Sequence, residues 1–279
     1  MRMDRRDTPF SGRVAHVSLK GRIEAAAFTE GEPARVAQPL VDLLKAPGGA
    51  RDRQLLLGDA VTVIDRDSGF AYVMAAKDGY CGWLSAAALE VGGAEPTHWV
   101  RARASHLYSA AVVQAPEIAA LTLGARVAVL ETGLGKMGRF ARTPQGFVPA
   151  CHLAALDDRP ADAAGVAELF LGTPYLWGGN SRAGIDCSGL AQASLLACGV
   201  ACPGDADQQM AVGRELAADE PLQRGDLIFW KGHVAVAVSA DRLIHANGAT
   251  MSVAYEDTAA CIARIAAQGE GDVIGRRRP

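Results

Sequence analysis

The first half of the chain alternates in period two. In "GDAVTVIDRDSGFAYVMAAKDGYCGWLSAAAL", residues 58–89, Val61, Val63, Tyr72 and Met74 alternate with smaller or polar neighbours, the pattern of half-buried strands. The same order of features returns in weaker form in "GARVAVLETGLGKMGRFARTPQGFVPACHLAAL", residues 124–156, where Val127, Val129 and Phe140 carry the alternation. Each copy holds a glycine, an alternating strand, a polar turn, a second strand, a Gly-aromatic turn and a short last strand. Two all-β units of about 60 residues are predicted, each small enough to need a partner surface. They occupy residues 33–92 and 97–156, after a lead-in segment of residues 1–32.

From about Leu156 the period changes. "DDRPADAAGVAELFLGTPYLWGG" opens with an Asp/Pro helix entry and an amphipathic run carrying Val166, Leu169 and Phe170, then breaks at Gly172 and Pro174. A second helix is predicted from Cys187 to about Ala197, burying Leu190, Leu195 and Leu196. Downstream, "GDLIFW", "HVAVAVS" and "RLIHAN" read as strands separated by the turn residues Lys231-Gly232 and Ala240-Asp241. One helix layer packed on one antiparallel sheet makes residues 160–279 an α+β unit.

Composition narrows the function. With 279 residues, 49% hydrophobic and 21% charged, the chain has material for more than one core. A net charge of -3 supplies no basic field to collect nucleic acid or anionic lipid, and "MRMDRR" and "GRRRP" at the two ends read as solvated tails. No stretch approaches the roughly 20 apolar residues of a membrane span. Asp4, Asp7, His16 and Lys20 interrupt any leader-like apolar run, so the expected setting is cytoplasmic, with no nucleic-acid or membrane partner. The six cysteines are scattered, as free thiols in a reducing compartment are. Cys198 and Cys202 form a C-x3-C, but no second pair or nearby histidine completes a tetrahedral zinc site. Both read as packing residues, and no metal or other cofactor is expected.

Among those thiols Cys187 stands apart. It falls in the first turn of its predicted helix, where unpaired backbone N–H groups and the positive dipole end favour a thiolate. His233 opens "HVAVAV" and shares one strand face with Ala235 and Ala237, a small-residue face that lets a helix approach closely. His245 lies on the next strand-like segment, and antiparallel pairing brings it within reach of His233 to fix the tautomer of the first ring. Either histidine alone reads as a satisfied, half-buried imidazole. The thiol changes that reading to a nucleophile with its base.

The residues also carry two resemblances. "DGYCGWL", with Tyr80 and Trp83, resembles bacterial SH3 (SH3b) domains, and "QGFVPACHL" is similar to a degenerate second copy. "PYLWGG", "DCSGL", "RGDLIFW", "GHVAVAV" and "LIHANG" resemble, in order and spacing, the NlpC/P60 family of papain-like cysteine peptidases over residues 160–260. The implied fold is α+β, a papain-like catalytic domain preceded by two small SH3b-like barrels. The resemblance assigns Cys187 as nucleophile, His233 as base and His245 as the residue that orients it, with Tyr175 lining the site beside the oxyanion hole. It implies cleavage of the γ-D-glutamyl–diamino acid bond of short murein peptides with a free N-terminal L-Ala, as in wall recycling inside the cell. Asp186, Ser188 and Asp205 match positions that relatives use to hold the peptide amino end. Tyr80, at the turn of the first barrel, and Trp177 complete the implied substrate contacts, although Trp177-Gly178-Gly179 also reads as a tight turn and Asp186 as a helix N-cap. One departure is Ala206, where the family pattern usually has Ser. Two other classes stay open at this stage: a catalytically inactive SH3b protein that binds cell-wall peptides, and an acyl transferase of related fold. Intact Cys187, His233 and His245 argue against the first, and the order Cys before His against the second.

Overall fold

A computed structural model describes residues 3–279 and divides between Asp157 and Asp158 into two units. In the first, β1 (Val14–His16) and β2 (Ala27–Thr29) form a small parallel pair. The first barrel-like sheet comprises β3 (Glu32–Val36), β4 (Leu40–Leu44), β5 (Arg51–Leu56), β6 (Ala60–Asp67), β7 (Phe70–Ala75), β8 (Cys81–Ser85) and β9 (Leu89–Glu90). Its antiparallel order is β5-β4-β8-β7-β6-β3-β9. Period-two burial is visible on β6, where Val61 and Val63 are buried and Thr62 between them is not.

The second copy uses β10 (His98–Val100), β11 (Ala104–Tyr108), β12 (Glu117–Thr122), β13 (Arg126–Val127), β14 (Glu131–Leu134), β15 (Phe140–Thr143), β16 (Gly146–Pro149) and β17 (Leu153–Ala155). They form a five-stranded sheet, β12-β11-β16-β15-β14, and a three-stranded one, β13-β10-β17. The long β6 of the first copy corresponds here to two short pieces, β13 and β14, which is why the alternation is weaker.

The two β regions supply each other's partner surface. Leu56 and Leu57 of the first lie in one apolar cluster with Val100, Leu107, Leu121, Val127 and Val148 of the second. The Arg126 N–H donates to the Leu57 carbonyl at 2.7 Å. Gly58, at φ +79°, sits so close that a Cβ would lie 2.3 Å from the Arg126 carbonyl oxygen. Only glycine meets both demands at this position.

The second unit holds α1 (Ala163–Glu168), β18 (Asn180–Ser181), β19 (Gly184–Ile185), α2 (Cys187–Ala197), α3 (Ala206–Gln209), β20 (Arg214–Glu215), β21 (Leu227–Trp230), β22 (His233–Ala237), β23 (Arg242–Asn247), β24 (Ser252–Asp257), α4 (Thr258–Ala267) and β25 (Gly275–Arg278). Its six-stranded sheet runs β20-β25-β21-β22-β23-β24. Ala235 and Ala237 of β22 share a cluster with Cys261 and Ile265, so α4 is a helix received by that small-residue face. Helix α1 stops earlier than its apolar run suggests: Phe170 is buried, but Leu169 is 44% exposed just past the helix end.

Both basic ends differ from the solvated tails expected from charge. "GRRRP" contributes β25, which inserts between β20 and β21, and Arg278 donates to both oxygens of buried Asp226 at 2.8 and 2.7 Å and to Glu220 at 3.0 Å. Paired in this way, an arginine can occupy a sheet without the cost of a lone charge. At the other end Arg5 pairs with Asp52, and the Arg6 carbonyl accepts from the Cys81 N–H at 2.6 Å; Met1 and Arg2 lie outside the described residues. Among the described residues no helix is long and apolar enough to cross a membrane.

Candidate active site

The segment 176–189 is folded around one buried carboxylate. Asp186, 6% exposed, is the N-cap of α2: its Oδ1 accepts from the Gly189 N–H at 2.6 Å and the Ser188 hydroxyl at 3.3 Å, and its Oδ2 from the Gly178 N–H at 2.8 Å. The glycines allow the approach. Gly178 has φ +69°, and a Cβ on Gly189 would lie 2.5 Å from the Gly179 carbonyl oxygen. One carboxylate thus ties the Trp177-Gly178-Gly179 turn to the helix whose first residue is Cys187. Removing it in Asp186→Ala leaves two buried N–H groups unmet and is expected to cost about 3 kcal/mol of stability. Urea titration would measure the loss, with Asp186→Asn, which keeps one acceptor oxygen, losing clearly less.

The thiol of Cys187, 7% exposed, points at the start of β22: Sγ lies 4.0 Å from the carbonyl oxygen of Gly232, the residue before His233. His233 Nε2 is 2.8 Å from His245 Nδ1. The pairing register of β22 with β23, Val236 opposite Ile244 and Ala237 opposite Leu243, is what sets the two rings side by side. The sulfur thus lies beside the residue that precedes His233, at the strand end that also carries the paired imidazoles. His233 still has Nδ1 uncommitted to His245.

Burial dominates the electrostatics. It pushes His233 down to about 3, with the neighbouring His245 adding to the effect, so His233 rests as a neutral base. Burial also lowers His245, against the opposing pull of Glu256. The Tyr175 hydroxyl is carried above the ordinary tyrosine range by burial and then by nearby Cys187 and Asp186, which keeps it a neutral donor.

One functional candidate, Glu256, was not legible in the motifs, and a second, Gln209, ends the segment "GDADQQ" without a role marked by it. Glu256 Oε2 lies 3.0 Å from His245 Nε2, extending the chain of hydrogen bonds past the second histidine. Gln209, fully buried, donates from Nε2 to the carbonyls of Ser188 at 2.9 Å and Pro203 at 3.0 Å, fastening the α3 segment to the first turn of α2. That fastening brings the half-buried Asp205, N-cap of α3, into the neighbourhood of the thiol's helix. Ala206 beside it is buried. Ser188 is buried against Asp186, and Trp177 is 68% exposed at its turn. Tyr80 is placed otherwise than a side chain standing out from a turn: it is 3% exposed within the core cluster of the first barrel, beside Leu84 and Val73, and its ring serves that core. Trp83 packs on Tyr72 with ring centroids 5.3 Å apart.

His245, Glu256 and Cys261 offer ligand atoms within 4.8 Å of one another, a spacing a metal ion could use. The donor set argues otherwise. Arg264 reaches both Glu256 oxygens at 2.8 Å and lies 3.8 Å from Cys261 Sγ, a fixed cation where a metal would have to sit.

Residues 172–266 match the NlpC/P60 family, and residues 43–89 match a bacterial dipeptidyl-peptidase SH3 domain. A Bacillus subtilis protein named gamma-D-glutamyl-L-lysine dipeptidyl-peptidase is 30% identical over 217 residues, 69% of this chain and 71% of the relative. A Bacillus cereus protein of the same name is 39% identical over 101 residues, 33% of this chain and 30% of the relative. The crystal structure of an NlpC/P60 family protein from Bacillus cereus superposes with a TM-score of 0.73 at 23% identity, over 88% of this chain and 99% of that one. At that identity the likeness is one of fold.

Proposed function

The chain belongs to the NlpC/P60 family and is a cysteine peptidase, and we propose that it hydrolyses the γ-D-glutamyl–diamino acid bond of short murein peptides that begin with a free L-Ala. The observation that carries this reading is the juxtaposition of Cys187 at the start of α2, Sγ 4.0 Å from the Gly232 carbonyl, with the His233–His245 pair bonded at 2.8 Å.

In the proposed mechanism His233 accepts the Cys187 proton through Nδ1 as sulfur attacks the γ-glutamyl carbonyl carbon. The oxyanion of the tetrahedral intermediate is held by the Cys187 backbone N–H and the neutral Tyr175 hydroxyl. His233 then passes its proton to the departing amine, leaving a thioester. Water, deprotonated by the same ring, hydrolyses the thioester and returns the thiol. Every proton is handled by His233, and no cofactor is called for.

Substrate choice rests on different support. The names of the Bacillus subtilis and Bacillus cereus relatives point to the γ-glutamyl bond. Asp205, carried on a segment fastened to α2 by Gln209, supplies a carboxylate suited to a peptide ammonium near the thiol's helix. Ala206 removes a hydroxyl from that arrangement, so the ammonium is held by charge more than by hydrogen bonds. Six free cysteines suit a reducing, cytoplasmic setting and with it a recycling role.

The test is a pair of substrates, L-Ala-γ-D-Glu-L-Lys and its N-acetylated form. Release of L-Ala-γ-D-Glu from the first is expected, with kcat/KM at least about 100-fold lower for the second, because acetylation removes the cation that the Asp205 carboxylate attracts. Equal rates on both would end the free-amine reading while leaving the peptidase intact.

A further inference from the structure

The hydrogen-bond chain from His233 to His245 ends on a built carboxylate site. Glu256 is the fifth residue of β24, opposite Leu243 in the register that pairs β24 with β23. The strand passes straight into α4, whose N-cap Asp257 accepts from the Ala260 N–H at 2.8 Å, and two turns on, Arg264 returns to Glu256. Nε donates to Oε1 and Nη2 to Oε2, both at 2.8 Å, a parallel fork that fixes the carboxylate plane. Nη1 donates to Gln268 at 2.9 Å and fixes the guanidinium in turn.

We propose that Glu256, clamped by Arg264, is a positioning residue that sets the tautomers of both histidines and so leaves Nδ1 of His233 as the proton acceptor for Cys187. The proposal rests on the peptidase reading above. A carboxylate offers only lone pairs, so at the 3.0 Å contact His245 Nε2 must carry the hydrogen. Neutral His245 then has a bare Nδ1, which at 2.8 Å requires the hydrogen on Nε2 of His233. Neutral His233 is left with its lone pair on Nδ1. With a donor in place of Glu256 the same reasoning runs in reverse and puts a hydrogen on that nitrogen, where it blocks the base.

The carboxylate is suited to hold this setting. Arg264 keeps Glu256 down to about 2, so it is ionised near neutral pH, and the neighbouring Cys261 thiol, pushed up to about 12 by burial and by Glu256, stays neutral there. The charged groups acting on the two rings are Glu256 of β24 and Arg264 of α4, and Glu256 raises His233 while Arg264 lowers it.

Glu256→Gln is the informative change. Its single oxygen can serve Arg264 Nε or His245 Nε2; in the first case the amide N–H₂ faces His245 and reverses the tautomers, in the second it faces Arg264 donor to donor. A fall in kcat of roughly 10- to 100-fold is expected, with KM little changed, smaller than the roughly 10⁴ seen when a carboxylate orients the base directly. Losing the anion also removes what raises His233, so the limb of the kcat profile that reports this ring moves to lower pH. Glu256→Asp keeps the acceptor chemistry and is expected to recover part of the rate. Independently of turnover, ¹⁵N NMR of histidine-labelled wild-type protein is expected to show hydrogen on Nε2 of both rings. Wild-type kcat and profile in Glu256→Gln, or hydrogen on Nδ1 of His245 in the unmodified protein, would overturn the proposal. A fully active Cys187→Ala in the same assay would instead overturn the peptidase reading, and the NMR result still decides the role of Glu256 in the pair. Should Glu256→Gln fail to fold, the wild-type spectrum alone decides.

Discussion

Cys187→Ala is expected to release no measurable L-Ala-γ-D-Glu from the tripeptide, a loss of roughly 10⁴- to 10⁶-fold in kcat, while the protein stays folded. The two halves of that expectation have separate physical grounds. The sulfur is the only atom lost; it is small, and its polar contact with the Gly232 carbonyl is long, at 4.0 Å. Truncating such a group costs on the order of 1–2 kcal/mol at most, so thermal melting and circular dichroism stay near wild type. The helix start itself is secured by Asp186 and does not depend on the thiol. Catalysis has no such reserve, because no other described nucleophile is placed at Gly232 and the start of β22. Cys187→Ser sharpens the test. A hydroxyl needs a far stronger base than a thiol does, and His233, pushed down to about 3, is a weak one, so serine is expected to be nearly as inactive as alanine. Product appearing at the wild-type rate in the alanine variant, followed by mass spectrometry, would refute the nucleophile.

What could be read from the chain before any coordinates follows a physical division. Elements stabilised by apolar alternation were legible: the two β copies, the helix beginning at Cys187, and the strands of "LIFW", "HVAVA" and "RLIHAN". The positions of Cys187, His233 and His245 came with them, because each stands at a fixed place on such an element. Elements stabilised by charge pairing were not. β25 is "GRRR", opposite Leu227 and Ile228 of β21, with Arg278 held by Asp226 and Glu220 and Arg276 donating to the Ala218 carbonyl, and no hydropathy pattern marks a strand secured by such polar pairings. β24 fails for a related reason: Tyr255 lies under the Arg242 guanidinium at 3.8 Å and donates to Glu168 at 2.9 Å, so its outward half looks like a solvated surface. Glu256 was hidden with it. A carboxylate eleven residues after His245 carries no signal of its own; what could have found it is the spacing to Arg264, a fork partner eight residues on across a strand-to-helix junction. Tyr80 could be read either way. Its place at a turn left its ring open to either side, and the thin barrel takes the ring inside.

His233→Ala carries the second large effect, and its consequences divide in opposite directions. Activity is expected to fall by roughly 10⁴-fold, since the variant loses the group that takes the thiol proton and the group that gives it to the leaving amine. Added imidazole, which fits the space vacated beside His245, is expected to restore a saturable fraction of the rate, whereas a ring of purely structural importance would not be replaceable in kinetics alone. Stability moves otherwise. In the folded protein His233 lies at about 3 against an ordinary 6.5, so between those values the unfolded chain binds a proton that the folded one refuses. Unfolding is then favoured as pH falls: the neutral buried ring costs nothing above about pH 6.5, and the native state loses stability progressively down to about pH 3. Alanine removes that linkage, leaving the smaller one of His245, which burial lowers in the same sense. A urea denaturation series in acid should therefore show a shallower decline for His233→Ala than for wild type, whatever the two proteins' stabilities at neutral pH. Parallel declines would mean that the ring titrates normally in the folded state, and the neutral resting base assigned to it could not stand.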